Sequence, residues 1–313
     1  MKNKKVHIIF FTYKRAIMLD AAITSLIQRF KSISYPISVI YHYNKNHKKS
    51  YNYLKKKYKY KLKFYERKPA SLLKRLYLFL NPINLFFLLR WPNIIKKYNN
   101  FKDILEKIIK NSKHEYIMLC PDDIFFYKNF IIPKEILNKL DKDPSDIFLR
   151  LAYGKNIKSF SKKAKVKSYV INEMKFVEWN RLDGKASQDM KYSFHVEAAV
   201  YNRKFLLKFF KKFIYHNPIT LEANGLKISK FYNYLKKTIS PSERVAASYQ
   251  INTVQNDNIY RDKYRVQIYS KLLDNLYLKG YNLVHKINSK QKKDNDVYPK
   301  EVYLVNNKKK YLI

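Results

Sequence analysis

The sequence predicts an α/β protein built on an open, mostly parallel sheet flanked by helices. Three observations carry this. Strand-like apolar runs alternate with helical patterns through the first 150 residues. The first strand, helix and second strand are spaced as a right-handed βαβ unit. The 313 residues and an apolar fraction of 46% are enough for one large domain, or two fused halves, with a sizeable core.

Val6-His7-Ile8-Ile9-Phe10-Phe11 is nearly continuous in apolar residues, as a strand buried on both faces requires. Thr12-Tyr13-Lys14-Arg15 forms the loop at its C-terminal end. Leu19, Ile23, Leu26, Ile27 and Phe30 then mark one face of a helix, which Pro36 breaks. Ile37–Tyr43 is a second strand with a polar exit at Tyr43–Asn46. Ser50–Tyr60 reads as a Lys/Tyr-rich helix with a solvated face, and Leu62–Glu66 as a third strand. Leu72–Trp91 is apolar but interrupted by Asn81-Pro82, so it reads as a buried helical hairpin or acceptor-pocket wall. The alternative is a bilayer-surface contact flanked by basic residues.

Phe101, Ile104, Leu105, Ile108 and Ile109 give a further amphipathic helix, and Glu115–Cys120 the next strand. Beyond it, Ile147–Ala152 reads as a strand, Lys155–Ser168 as a Lys/Ser-rich loop, and Phe194–Tyr201 as a half-buried strand. Asn202–Phe213 is a helix, Val245–Val254 a strand, and Arg265–Lys279 a helix stopped by Gly280. The expected organisation is a first half over 1–130, a second half of the same domain over 131–285, and a loose basic tail over 286–313.

The charge is extreme: 65 Lys and Arg against 24 Asp and Glu, a net +41. Attraction to anions follows, whether a nucleotide diphosphate, a lipid phosphate or an anionic bilayer. Only 11 of the basic residues are Arg and 54 are Lys. That bias argues against a nucleic-acid partner, which favours bidentate Arg contacts. Lys, Asn, Tyr, Ile and Phe also share AT-rich codons, which accounts for part of the composition. Cys120 stands alone, so no disulfide within the chain is possible, and a reducing, cytoplasmic setting is expected. The N-terminus lacks the pattern of a secretory leader, and no stretch of 18 apolar residues predicts a spanning helix. No Cys/His cluster suggests zinc, and no Gly-rich phosphate loop is present.

The chemistry centres on Cys120-Pro121-Asp122-Asp123-Ile124. An apolar strand delivers two adjacent carboxylates to the C-terminal edge of the sheet, where open α/β sheets bind ligands. Two neighbouring Asp side chains repel each other and call for a positive partner. A divalent metal, Mn²⁺ or Mg²⁺, holding a diphosphate would supply that charge and stabilise the departing nucleoside diphosphate. Asp122 and Asp123 are the expected ligands. His195 is a further candidate for metal or phosphate contact.

The ordered series formed by the first strand, Thr12-Tyr13-Lys14-Arg15, a helix, and Glu115–Cys120 running into Asp122-Asp123 resembles family-2-like glycosyltransferases of the GT-A fold. Those chains open with an apolar strand and Thr-Tyr-Asn-Arg, and reach an Asp-x-Asp-type motif after a later strand. The resemblance covers roughly residues 5–130. Two departures stand out. Lys14 replaces the Asn, and Pro121 occupies the place of the first acidic residue, so metal ligation would rest chiefly on Asp123.

The resemblance implies a GT-A-like sheet with an acceptor-side second half. It also implies a nucleoside pocket lined by Phe11, Thr12 and Tyr13, with Arg15 facing the phosphates. Asn44, with Tyr43, would lie near the base or ribose, and Asp122 would contribute to donor binding. It further implies a sugar-nucleotide donor and a glycan or lipid-linked acceptor. The setting would be bacterial surface glycan assembly, such as lipopolysaccharide or capsule, at the cytoplasmic face of the membrane. The blocks around Trp179–Gly184, Ser193–Tyr201, Asn217–Gly225 and Ile251–Asn256 look like the C-terminal parts of other bacterial glycosyltransferase-like proteins.

An inverting transferase needs a carboxylate to take the acceptor proton. Glu197 and Glu222, each set among apolar residues in a chain with few acids, are the two candidates. Two other readings use the same features. One is a non-catalytic basic protein binding nucleic acid or anionic lipid. The other is a nucleotidyl- or phosphotransferase acting on a nucleoside triphosphate.

Overall fold

The computed structural model describes residues 6–30, 36–71, 73, 98–249, 270–286, 301–306 and 309–312. The first half alternates as expected: β1 (Val6–Tyr13), α1 (Ala16–Arg29), β2 (Ile37–His42), α2 (Lys48–Lys57), β3 (Leu62–Glu66), α3 (Phe101–Asn111) and β4 (Tyr116–Pro121). Next come β5 (Ile124–Phe126), α4 (Lys134–Lys142), β6 (Ile147–Arg150), β7 (Val166–Ile171), β8 (Met174–Asn180), β9 (Ala199–Asn202), α5 (Arg203–Phe210) and α6 (Pro218–Phe231). The remaining elements are β10 (Lys237–Pro241), β11 (Ala246–Ser248), α7 (Ser270–Leu278), β12 (Asn282–Lys286), β13 (Glu301–Val305) and β14 (Lys310–Leu312).

Nine strands form one sheet in the order β3-β2-β1-β4-β9-β6-β10-β8-β7. The first four are parallel. β9 enters antiparallel between β4 and β6, and β8 and β7 add an antiparallel edge beyond β10. The fold is thus α/β and GT-A-like, parallel through its first half and mixed through its second.

Both faces of β1 and β4 are covered, which is why their sequences are continuously apolar rather than alternating. Ile8, Phe10, Met118 and Cys120 join the core beneath α1, while Ile9, Phe11, Ile117 and Leu119 join the one beneath α3 and α5. The chain runs outward from β1 through β2 to β3, then returns to lay β4 on the other side of β1. The strand order therefore reverses between β1 and β4. At such a switch point the flanking loops diverge and leave a crevice at the carboxyl ends of the strands. Thr12–Arg15 and Asp122-Asp123 both lie there.

Local chemistry explains several elements. In α1 the buried Asp20 takes the Lys57 ammonium and the Tyr58 hydroxyl, each at 2.6 Å, tying α1 to the end of α2. α2 has a buried face (Ser50, Tyr51, Leu54), so it is more than the solvated helix its Lys/Tyr content implied. α6 opens on a reciprocal capping box between Asn217 and Thr220, with Pro218 at its first position. α7 ends at Gly280 (φ +82°), where the Gly280 N–H donates to the Tyr277 carbonyl and the Tyr281 N–H to the Leu276 carbonyl. This is the glycine stop the sequence predicted. α7 packs on α1 and α2, and Asp274 pairs there with the buried His47.

Three parts of the second half differ from the sequence reading. The strand expected over Phe194–Tyr201 is confined to Ala199–Asn202. The preceding residues are irregular because the Tyr201 hydroxyl bonds both the N–H and the carbonyl of His195, at 2.8 Å each, replacing ladder partners. The Lys/Ser-rich stretch ending at Ser168 runs into a hairpin, β7–β8, whose turn residues Asn172 and Glu173 both have positive φ (47° and 65°), the geometry of a tight two-residue turn. Within the stretch read as a loose tail, β13 and β14 pair in sequence with β12. Leu72 and residues 74–97, which include nearly all of the Leu72–Trp91 segment, lie outside the described residues, as do the Ile251–Asn256 block and residues 265–269 of the last helix. Among the described residues no helix is long and apolar enough to cross a membrane.

Gly225, inside α6, lies against the Phe194 ring: a Cβ there would sit 2.6 Å from Cδ1. That ring is held by Tyr201, Phe209 and Phe210, with centroids 5.2–6.1 Å apart. Overpacking of this kind costs about 1–3 kcal/mol, more than the roughly 1 kcal/mol that Ala gains over Gly in a helix interior. Gly225→Ala is therefore expected to lower the denaturation midpoint in urea. An unchanged or raised midpoint would show that the ring yields.

Candidate active site

β1 ends at Tyr13, and Lys14 turns the chain with φ +56° so that α1 begins at Ala16. Phe11 pairs in register with Pro121, which sets Thr12 beside Asp122. From this turn Arg15 reaches across to the other loop. Its Nε donates to Asp122 Oδ2 at 3.1 Å, its Nη2 makes a close ion pair with Asp122 Oδ1, and its Nη1 lies 3.4 Å from Asp123 Oδ2. The Asp122 side chain is 1% exposed and that of Asp123 12%. The Tyr51 hydroxyl shares a 2.7 Å hydrogen bond with Thr12 Oγ1 and accepts the Arg15 backbone N–H at 3.3 Å. The positive partner that the two aspartates require is thus a side chain of the same chain.

Burial raises the Asp122 carboxyl to about 6, outweighing the downward pull of Arg15, and the neighbouring Asp123 adds to the rise. Burial alone would lower the Arg15 pKa, but the two carboxylates carry it upward. Burial, then Asp122, raise the Tyr51 phenol. The arrangement is a closely held guanidinium–carboxylate pair at the head of α1.

A second charged group lies across the β4 edge. Arg150, the last residue of β6, is buried, with its guanidinium 4.2 Å from the centre of the Tyr153 ring and Nη1 donating to the Asp189 carbonyl at 3.1 Å. Burial lowers its pKa, and Glu197 is the strongest influence raising it, with Glu222 also contributing. Glu197 is half-buried. Burial raises its pKa, Arg150 opposes this, and Asp123 reinforces it, which puts Glu197 within electrostatic reach of the aspartate pair. Ala198, immediately after Glu197, has φ +45°, a left-handed conformation that is strained for a residue with a Cβ. Its carbonyl accepts the Leu151 N–H at 3.1 Å, so the strained turn is anchored to the end of β6.

Glu222 lies in the second turn of α6. Its Oε1 is 3.4 Å from His195 Nδ1. Burial, followed by the charge of Glu197, raises Glu222 to about 8. Burial and Arg150 lower the His195 imidazole. The contact has the spacing of an ion pair, but these shifts leave a neutral ring beside a protonated carboxyl at neutral pH. Burial is the leading cause at both groups, and it disfavours both charges.

The other anticipated residues are placed as follows. Phe11 is buried and packs on Phe101, with centroids 5.4 Å apart, rather than opening onto the crevice. Tyr13 stacks on His42 with rings 5.5 Å apart and 6° from parallel, and Lys14 and Arg67 lie over it at 4.6 and 5.7 Å. Tyr43 stacks on Tyr41 and Tyr51, and the exposed Asn44 precedes a short 3₁₀ turn. His216 bonds within the cap of α6. Sequence reasoning missed Tyr51, Arg67, Arg150 and Arg244. In a chain so biased towards Lys, each Arg was itself a signal. Arg150 in particular closes the otherwise apolar run Ile147-Phe148-Leu149.

The donor set does not fit a divalent cation as it stands. Both oxygens of Asp122 are engaged by Arg15, and Asp123 also faces that guanidinium. His195 is paired with Glu222, and no cluster of three His, Cys, Asp or Glu suited to a metal occurs among the described residues. Two cavities, of about 580 and 160 Å³, open at the opposite, N-terminal edge of the sheet, one beside Glu115 and Arg203 and the other beside His7 and Lys63. Neither touches these carboxylates. Converging buried charge at the switch point, not cavity volume, identifies the site.

No family model matches the chain. The chain is similar to a bifunctional glycosyltransferase, pgtA, of Dictyostelium discoideum, with 26% identity over 118 residues, which is 35% of this chain and 15% of that protein. Among solved structures it is similar to residues 1–349 of TarS from S. aureus, with 15% identity, a TM-score of 0.43, and coverage of 78% of this chain and 60% of that one. It is also similar to the 4-diphosphocytidyl-2C-methyl-D-erythritol synthase of Anaerococcus prevotii, with 10% identity, a TM-score of 0.37, and coverage of 88% and 96%. The chain thus spans under a sixth of the curated relative and about three-fifths of the TarS chain.

The raised pKa of Glu222 makes a prediction. The folded protein keeps a proton that the unfolded chain loses above about 4.5, so stability falls as pH rises from there to about 8. Glu222→Gln is expected to remove that fall, worth on the order of 2 kcal/mol after allowing for partial exposure. Melting curves of both proteins between these limits check this. Parallel pH profiles would refute the assignment.

Proposed function

We propose that this chain is a nucleotide-sugar-dependent glycosyltransferase that moves a sugar from a nucleoside-diphosphate donor to a glycan or lipid-linked acceptor. The observation that carries this is the convergence of Arg15, Asp122, Asp123 and Glu197 at the crevice between β1 and β4. The similarity to a curated glycosyltransferase over 118 residues is consistent with it. Tyr13 stacked on His42, with Lys14 and Arg67 beside it, offers an aromatic face and positive charge at the end of β1. These suit a nucleobase and its phosphates, with Thr12 and Asn44 on the same edge. The N-terminus of α1 adds its partial positive charge.

In this reading Glu197 is the base. It takes the proton of the acceptor hydroxyl as the acceptor oxygen bonds to the anomeric carbon. The bond from that carbon to the phosphate oxygen breaks, and its electron pair leaves on the nucleoside diphosphate. A carboxylate with raised proton affinity is suited to this step. Glu222, protonated at neutral pH, is a hydrogen-bond donor and positions the His195 side of the acceptor site. Arg150 opposes the rise that burial causes in the proton affinity of Glu197. The net charge of +41 favours an anionic acceptor, such as a lipid-phosphate-linked glycan of a bacterial surface polymer, at the cytoplasmic face of a membrane.

Screening a panel of nucleotide sugars and nucleoside triphosphates for thermal stabilisation and turnover tests the class. Stabilisation by triphosphates alone would replace this reading with a nucleotidyl- or phosphotransferase. Glu197→Gln is expected to lower kcat about 10²–10⁴-fold while leaving donor binding intact. Asp123→Asn is expected to cut kcat/KM at least about tenfold, through loss of Arg15 alignment. Full activity in Glu197→Gln would remove it as the base.

A further inference from the structure

We infer that Arg15, in place of a bound divalent cation, supplies the positive charge that meets the donor's diphosphate, so that transfer proceeds without a metal. This rests on the glycosyltransferase reading and deepens it. The two aspartates at the exit of β4 would ordinarily be read as the ligands of a metal. Here the first of them is not available for that role. Asp122 is 1% exposed, and both its oxygens are held by Arg15. A divalent ion placed against Asp123 would lie beside the same guanidinium, whose Nη1 is 3.4 Å from Asp123 Oδ2, and the two cations would repel.

The geometry assigns the aspartates another task. Asp122 grips the Nε and Nη2 side of the guanidinium, and Asp123 approaches Nη1, so two carboxylates orient one planar cation. Arg15 sits immediately before the first residue of α1, with its side chain 12% exposed. It therefore borders the crevice while its charge is kept from bulk water. A planar, permanently charged fork is suited to phosphate oxygens, and Lys does not reproduce it. As the anomeric carbon–oxygen bond breaks, the added negative charge on the leaving phosphate oxygen is met by this guanidinium, and the acceptor proton passes to Glu197. The balance needs no further reactant.

The test uses the full chain, with UDP and GDP as probes, in excess EDTA and separately in Mn²⁺ or Mg²⁺. The expected result is that the nucleotide that raises the melting midpoint does so equally in EDTA and in metal. Turnover of the corresponding sugar nucleotide is likewise expected to resist EDTA. Arg15→Lys is expected to weaken nucleotide binding at least about tenfold in either medium. Stabilisation or turnover that disappears in EDTA and returns with Mn²⁺ or Mg²⁺ would overturn this inference while leaving the transferase reading in place. Absence of stabilisation by any sugar nucleotide or nucleoside diphosphate, with or without metal, would remove both. The comparison of wild-type protein in EDTA and in metal decides the question even if Arg15→Lys fails to fold.

Discussion

A guanidinium buried between two carboxylates, at the place where the sheet reverses its strand order, constrains the rest of this structure. Removing one partner of such a pair costs about 3–5 kcal/mol, because it strands the other charge without water. Arg15 comes from the β1–α1 turn and Asp122 from the end of β4, so the pair fixes the separation of the two loops that frame the crevice. The positive φ of Lys14, the hydrogen bond between the Tyr51 and Thr12 hydroxyls, and the Arg15 N–H donated to the Tyr51 hydroxyl hold one side of it. The β1–β4 register, with Phe11 opposite Pro121, holds the other.

The second charged group follows the same logic on the antiparallel side. Arg150 ends β6, and its electrostatic partners Glu197 and Glu222 arrive from the irregular stretch before β9 and from α6. Gly154 allows the loop after β6 to press against the one after β10. A Cβ there would come within 2.6 Å of the Arg244 backbone nitrogen. That approach brings Arg244 close enough to lower the Glu197 pKa, with Arg150 the stronger influence. Two carboxylates in one neighbourhood are thereby pushed apart in role. Burial and the charge of Glu197 carry Glu222 to about 8 against Arg150, whereas both Arg150 and Arg244 oppose the rise that burial causes at Glu197.

Much of this was legible in the sequence, for physical reasons that differ by region. Strands buried on both faces leave continuous apolar runs, and helices between them leave 3.6-residue stripes, so β1, β2 and β4 could be read directly. The aspartate pair stood out because two adjacent carboxylates after an apolar strand need a positive partner. The identity of that partner did not stand out: Arg15 lies 107 residues from Asp122, and no local pattern records a contact so distant. The resemblance implied a pocket role for Phe11, but strand alternation within β1 turns it into the core beside Phe101. The second half was harder because its signals are tertiary. The Phe194–Tyr201 stretch alternates like a strand, yet its backbone is satisfied by the Tyr201 hydroxyl. The β7–β8 hairpin starts at the end of the Lys/Ser-rich stretch, and its one clear mark was Asn172 at the turn.

The position of α7 bears on how the polypeptide reaches this state. It covers α1 and α2, joined to them by the His47–Asp274 pair and the Tyr53–Tyr277 ring contact. While the ribosome is still translating residues before 270, that face of the first half lacks its α7 contacts. The contacts of α7 with α1 and α2 therefore form only after every strand of the nine-stranded sheet has been translated. A chaperone that shields the apolar sides of α1 and α2 during synthesis would be competing with α7 for the same surface.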